Sequence, residues 1–124
     1  MGKQKIKIEY TSETIAERTY GDGDDCDTVF IEVQSAFGKP VKLCIGYNRC
    51  SKDLEEYYGD CDLEDYIHVE GDDLRKLASK FSALNTKTLV ERIVIRFEPY
   101  GLGAYKAFEE FLKKKGIHYS TSFY

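Results

Sequence analysis

The chain has 124 residues, of which 42% are hydrophobic and 32% charged, so we expect one globular domain spanning residues 1–124 rather than a disordered or fibrous chain. No apolar run exceeds three residues, which excludes a transmembrane helix and a secretory leader and favours a cytoplasmic protein. The net charge of −4 conceals a segregation: residues 21–73 hold fifteen Asp/Glu and four Lys/Arg, whereas residues 74–124 hold four Asp/Glu and ten Lys/Arg.

The first twenty residues predict two strands. Residues 5–10 alternate strictly between polar and apolar side chains, which is typical of a half-buried strand. Residues 14–20 contain β-branched and aromatic side chains that favour the second strand of a hairpin, although Ser12 also suits the cap of a short helix. Clustered Gly and Asp at residues 21–25 then predict a loop.

The clearest pattern in the chain is a second hairpin. Apolar residues alternate over 29–33 and again over 41–47, and residues 36–40 between them contain Gly and Pro suited to a turn. The polar stretch 48–64 carries only a short helical signal, and residues 66–69 predict another short strand.

The remainder of the chain predicts helices alternating with strands. Apolar residues recur at helical spacing over 72–84. Residues 89–97 alternate instead, which predicts a strand that stops at Pro99. A second helix is expected at about 102–115, followed by a closing strand over 117–123.

This order predicts an α+β domain of two layers, with a mostly antiparallel sheet of about five to seven strands and two main helices on one face. The last strand–helix–strand unit is compatible with a right-handed parallel crossover. Within its helix we expect Phe108 and Phe111 in the core and Lys106 and Glu109 facing water, because only the first pair lies on the apolar stripe.

The four cysteines form no C-x-x-C pair, so the usual spacing of a structural zinc site is missing. A disulfide is not expected in a reducing compartment. Metal binding by Cys50, Cys61 and a histidine is an open alternative, but the sequence predicts neither a metal site nor a cofactor.

Catalytic signatures are equally sparse. Gly101 and Gly103 begin a phosphate-binding fingerprint whose third glycine is replaced by Lys106, so they predict a turn and a helix entry. Neither His68 nor His118 lies within a nucleophile–base motif. We therefore expect no catalytic residues and no enzymatic activity, with a small enzyme near Gly101 and His118 as an alternative.

Acidic side chains and tyrosines occur together in the middle of the chain. Aspartates at residues 22–27 lack the spacing of a calcium loop. Carboxylates beside tyrosines suit a partner that carries arginine or lysine. The predicted partner-binding residues are Asp22, Asp24, Asp25, Asp53, Glu55, Glu56, Tyr57, Tyr58, Asp60, Asp62, Glu64 and Asp65.

The leading hypothesis is a small acidic inhibitor that masks the basic, nucleic-acid-handling surface of another protein. Its size and charge resemble those of an anti-defence inhibitor, such as an anti-CRISPR from a phage or mobile element, or of a nuclease-immunity protein. Dense carboxylates imitate the charge of a phosphate backbone. The alternative is a nucleic-acid-binding module that uses the basic C-terminal third: Arg75, Lys76, Lys80, Arg92 and Arg96, with Tyr100 or Tyr105.

Overall fold

The computed structural model describes residues 7–20, 25–50 and 62–123. These residues form five strands, three α-helices and a 3₁₀ helix, which confirms the α+β fold class. In chain order the elements are β1 (Ile8–Tyr20), β2 (Asp25–Ala36), β3 (Lys39–Cys50), β4 (Asp62–Glu70), α1 (Gly71–Lys80), α2 (Thr86–Phe97), the 3₁₀ helix (Glu98–Gly103), α3 (Ala104–Lys115) and β5 (Ser120–Phe123).

The strands form one antiparallel sheet in the order β1-β2-β3-β4-β5. The hairpin of β2 and β3 turns at Phe37 and Gly38, both of which have positive φ, as tight hairpin turns require. The parallel crossover considered for the last strand–helix–strand unit does not occur, because its first strand, residues 89–97, is helical. The helices instead return the chain to the sheet edge, where β5 pairs antiparallel with β4.

One face of the sheet, which we call the inner face, carries the core. Alternate residues of the three central strands point to it and are almost fully buried: Val29, Ile31, Val33, Leu43, Ile45, Ile67 and Val69. The helices contribute the other half of the same cluster, mainly Leu74, Leu77, Leu89, Ile93, Phe97, Phe108 and Leu112. The opposite, outer face has no helix of the described residues packed on it.

The prediction of two short N-terminal strands paired as a hairpin is wrong. Residues 8–20 form the single strand β1, which pairs along its length with β2. A bulge at Ile15 shifts the register and turns that side chain into the core, where it is 5% exposed. Before the bulge the alternation is opposite to the expected one, because Tyr10 lies on the outer face and is 75% exposed.

The predicted strand over 89–97 is also wrong, since these residues lie in helix α2. The Asn85 side chain caps this helix by accepting a hydrogen bond from the backbone N–H of Thr88 at 2.9 Å. Its buried positions Leu89, Val90, Ile93 and Phe97 follow helical spacing. The alternation of Ile93, Ile95 and Phe97 predicted a strand, but Leu89, Ile93 and Phe97 also fit helical spacing, and this stripe packs against the sheet.

The second predicted helix is confirmed as α3, which ends at Gly116 in a left-handed conformation. Phe108 is buried and Lys106 is exposed, as expected. Phe111 is only half-buried, because it packs at the margin of the core against the rings of Phe81 and Phe97. Glu109 is half-buried as well and accepts a hydrogen bond from the hydroxyl of Tyr119 at 3.0 Å.

Candidate functional site

Polar and aromatic side chains cluster on the outer face of the sheet, across the three central strands and β5. Cys44 on β3 pairs directly with His68 on β4, and Glu32 on β2 is the other neighbour of Cys44 in the same row. Together with the next residues along β4 and β5, these side chains form what we call the outer-face cluster: Glu32, Cys44, Glu64, Tyr66, His68 and Ser122. All but Ser122 line a shallow depression of about 310 Å³.

His68 links two strands at the centre of this cluster. Its Nδ1 lies 3.0 Å from Sγ of Cys44, and its Nε2 lies 2.7 Å from Oγ of Ser122. An imidazole held on both sides is fixed in orientation. The sequence did not predict these contacts of His68, because neither Cys44 nor Ser122 is near it in the chain and only the strand register brings them together.

Glu64 is the carboxylate that the cluster holds most firmly. Its two oxygens accept hydrogen bonds from Nδ2 of Asn48 at 3.1 Å and from the hydroxyl of Tyr66 at 2.8 Å. The Tyr66 ring stacks on the imidazole of His68, and Phe30 meets its edge. A negative charge beside an ordered aromatic ring is suited to an ammonium or guanidinium group.

The pKa shifts keep the thiol and imidazole of the cluster uncharged. Burial raises the pKa of the Cys44 thiol, and nearby Glu32 raises it further although Lys42 opposes this. Burial lowers the pKa of His68, with Lys42 acting in the same direction. A nucleophilic Cys–His pair requires the reverse shifts, toward thiolate and imidazolium. The negative charge of the cluster therefore resides on the glutamates.

Most predicted partner-binding residues lie outside the described residues, namely Asp22, Asp24, Asp53, Glu55, Glu56, Tyr57, Tyr58 and Asp60. The strand residues that flank them are described. Tyr20 pairs with Asp25, Cys26 pairs with Cys50, and Cys50 pairs with Asp62. The two acidic segments, residues 21–24 and 51–61, are therefore attached to strand ends that lie side by side at one end of the sheet. We call this end of the sheet the acidic end.

Of the predicted residues with described side chains, Glu64 and Asp65 are adjacent in β4 and therefore point to opposite faces. Asp65 lies on the inner side, where its charge adds to the burial that raises the pKa of Tyr105 to about 12. Tyr47 is nearby and packs edge-on against Tyr105. Its hydroxyl donates a long hydrogen bond of 3.4 Å to Oδ2 of Asp27. Carboxylates therefore flank both faces at the acidic end.

The basic residues of the alternative hypothesis are divided between two helices. Arg75, Lys76 and Lys80 on α1 line a groove of about 520 Å³ with Lys115 at the end of α3. Arg92 on α2 is engaged elsewhere, since its Nη1 donates to the backbone carbonyls of Phe81 at 2.6 Å and Ser82 at 2.8 Å.

The structure does not bring together Gly101 and His118, the two residues of the alternative enzyme site. The two residues flank opposite ends of α3, and a twelve-residue helix is about 18 Å long. Gly101 lies in the 3₁₀ helix with φ of 58°, and it follows a helix rather than the expected strand. His118 is exposed, and its backbone N–H donates to Oδ1 of Asp73 at 3.2 Å.

Residues 7–20, 25–50 and 62–123 contain no group of three or more His, Cys, Asp and Glu side chains placed to hold a metal ion. Cys61, one ligand of the alternative metal site, lies outside these ranges.

Within the same ranges, no helix combines the length and apolar character needed to span a membrane. No known family model, curated protein or solved structure matches the chain.

Proposed function

We propose that this protein is a cytoplasmic, non-enzymatic inhibitor that binds a basic partner protein and masks a surface used to handle nucleic acid. The observation that carries the proposal is the register at the acidic end. The strands that flank the two acidic segments are neighbours there, which supports a single negative surface built from segments distant in sequence. Such a field speeds association with a basic cleft.

The described part of the acidic end supports binding by both faces of the sheet. Glu64, on the outer face, is held by two hydrogen bonds beside the Tyr66 ring. Asp27 and Asp65 carry negative charge on the inner face. An arginine or lysine of a partner therefore meets Glu64 on the outer face, or Asp27 and Asp65 on the inner face.

Binding rather than catalysis also agrees with the chemistry of the outer-face cluster. The raised pKa of Cys44 and the lowered pKa of His68 both favour uncharged groups at neutral pH. Their hydrogen bonds fix the surface beside Glu64 without producing an activated thiolate. We infer that these side chains shape the recognition surface.

Affinity capture with a charge-reversed variant tests this proposal. The variant carries lysine in place of Glu55, Glu56, Asp62 and Glu64. The immobilised native chain is expected to retain a basic protein at low salt and to release it at high salt. The immobilised variant is expected not to retain that protein. Unfolding in urea should remain cooperative, with a loss of about 1–3 kcal/mol from the two hydrogen bonds that Glu64 accepts. Retention of the same proteins by the variant would contradict the proposal.

A smaller reversal allows a matched control. The Asp62→Lys/Glu64→Lys variant should weaken capture, whereas Glu98→Lys/Glu110→Lys should not, although both double variants change the net charge equally. Glu98 and Glu110 are exposed on the helix side of the molecule. Equal weakening by both variants would show that total charge, rather than the acidic end, determines binding.

Direct nucleic-acid binding is a second candidate, favoured by the groove that Arg75, Lys76, Lys80 and Lys115 line. It is expected to give a gel shift with duplex DNA at low salt and micromolar protein, because non-specific binders reach Kd values of about 10⁻⁴–10⁻⁶ M even at physiological salt. The Lys76→Glu/Lys80→Glu variant should abolish that shift. Absence of any shift by the native protein would remove this candidate.

A further inference from the structure

Strand β1 presents a long open edge. It is the first strand in the sheet order, and within the described residues it has a neighbouring strand on one side only. It is thirteen residues long and contains no proline, so every residue keeps its backbone N–H. Because alternate backbone groups of an edge strand point away from its neighbour, β1 is a template on which another strand can pair.

A groove of about 760 Å³ runs beside this edge, between β1 and helix α2. Its floor is closed by Ser35 and Thr86, whose buried hydroxyl oxygens lie 2.6 Å apart and satisfy each other. The helix wall includes three apolar side chains: Val90 is buried, Val94 is half-buried, and Ile95 is 72% exposed. The groove therefore offers apolar surface to a strand added at β1.

The charge around the groove is negative. Glu9 and Glu13 project from the inner side of β1 and are exposed, and Glu91 contributes a third carboxylate from α2. Among the described residues that line the groove, Lys87 is the one cationic side chain. Acidic residues thus occupy inner-face positions of β1 that an ordinary core strand fills with apolar side chains.

Strand pairing determines which side chains of an added segment enter the groove. Alternate residues of a strand beside β1 point to the inner face, as neighbours of Glu9, Thr11 and Glu13. Lysine or arginine at these positions reaches the carboxylates with its charged end while its aliphatic stem covers Val94 and Ile95. No other common side chain matches both features.

We propose that the basic partner docks an extended segment with Lys or Arg at alternate positions onto β1, which adds a sixth strand to the sheet. This inference rests on the proposed function for the existence of a basic partner, and it specifies how one segment of that partner is bound. Backbone hydrogen bonds supply affinity in this mode, and the alternating side chains supply specificity.

A synthetic peptide of ten residues that alternates lysine with threonine, with both ends blocked, is the probe. Fluorescence anisotropy should show that it binds, whereas the peptide that alternates glutamate with threonine should not. Hydrogen exchange should slow at those β1 amides that point away from β2. The Glu9→Lys/Glu13→Lys variant should weaken binding about tenfold or more, since two cross-strand pairs change from opposite to like charge.

The Asp72→Lys/Glu110→Lys variant, which has the same net charge, is the matched control and should bind the lysine peptide as the native protein does, because Asp72 and Glu110 are exposed on α1 and α3, which pack on β3 and β4. If charge reversal impairs folding, the Glu9→Gln/Glu13→Gln variant should still weaken binding. Equal losses in variant and control, or peptide binding that leaves exchange in β1 unchanged, would overturn the inference.

Partner capture separates this inference from the proposed function. Capture that is lost with Asp62→Lys/Glu64→Lys but unaffected by Glu9→Lys/Glu13→Lys would overturn docking at β1 and leave the proposed function standing. Capture affected by neither variant would contradict both.

Discussion

At the scale of single residues, the outer face depends on close contacts that only particular side chains allow. Gly46 on β3 lies beneath the ring of Phe30, and a Cβ built there would meet ring carbon Cζ of Phe30 at 2.3 Å. Phe30 in turn meets the edge of Tyr66, whose hydroxyl holds Glu64. The absence of a side chain at position 46 therefore positions the aromatic part of the cluster.

Replacing Gly46 by alanine should reduce the free energy of unfolding by about 1–3 kcal/mol, because the new methyl group forces Phe30 out of its place. Gly103→Ala is the control: its added Cβ meets nothing within 4 Å, and its φ of −71° suits alanine. That variant should change stability by less than about 0.5 kcal/mol. Urea denaturation measures both, and similar values for the two would contradict the assigned packing.

His68 predicts a pH dependence of stability. Its pKa in the folded protein lies below the ordinary value of 6.5 because of burial. As pH falls through 6.5, the unfolded chain therefore takes up a proton at this residue that the folded chain does not, and the free energy of unfolding decreases.

The His68→Gln variant removes this contribution. Urea unfolding of the native protein and the variant should therefore diverge below pH 6.5, with the native protein losing more stability, until the pH reaches the lowered pKa of His68. Parallel curves between pH 7.5 and pH 5 would show that the folded protein leaves His68 as exposed as the unfolded chain does.

At the scale of elements, sequence patterns predicted the segments whose apolar period was unambiguous. The hairpin of β2 and β3, the helix α1 and the helix α3 follow from clear alternation or helical spacing. Helix α2 was missed because Ile93, Ile95 and Phe97 also fit a strand. The N-cap Asn85 was the signal that distinguishes the two, together with helical spacing from Leu89 to Phe97.

The expected strand over residues 89–97 and the observed helix α2 place Ile93 and Ile95 in different environments. In a strand Ile93 and Ile95 share a face, whereas in α2 Ile93 is fully buried and Ile95 is 72% exposed. Ile93→Ala should therefore cost about 2–5 kcal/mol. Ile95→Ala should cost less than about 0.5 kcal/mol. Comparable losses in a denaturant melt would favour the strand.

The candidate site was predictable only in its charge. The acidic composition of residues 21–73 is visible in the sequence, but which carboxylates share a face depends on strand register. Glu64 and Asp65 were predicted together and lie on opposite faces, while Cys44, His68 and Ser122 come together from three strands. Spacing along the chain does not contain this information.

At the scale of the whole molecule, the order of elements preserves the charge segregation of the chain. The acidic middle of the sequence supplies strands β2, β3 and β4, and the basic C-terminal third supplies most of the helical layer. The described strands therefore carry a net negative charge and the helices a net positive charge. This net negative charge of the sheet is the property on which the proposed function depends.

Competition with nucleic acid tests that function most directly. A basic protein captured by the native chain is mixed with labelled duplex DNA, and its gel shift is followed as the native chain or the Asp62→Lys/Glu64→Lys variant is added. We expect the native chain to displace the DNA from the basic protein and the variant to displace much less of it. The native chain and the DNA compete for one basic surface of that protein. A captured protein that keeps its DNA while the native chain is bound would contradict the proposal.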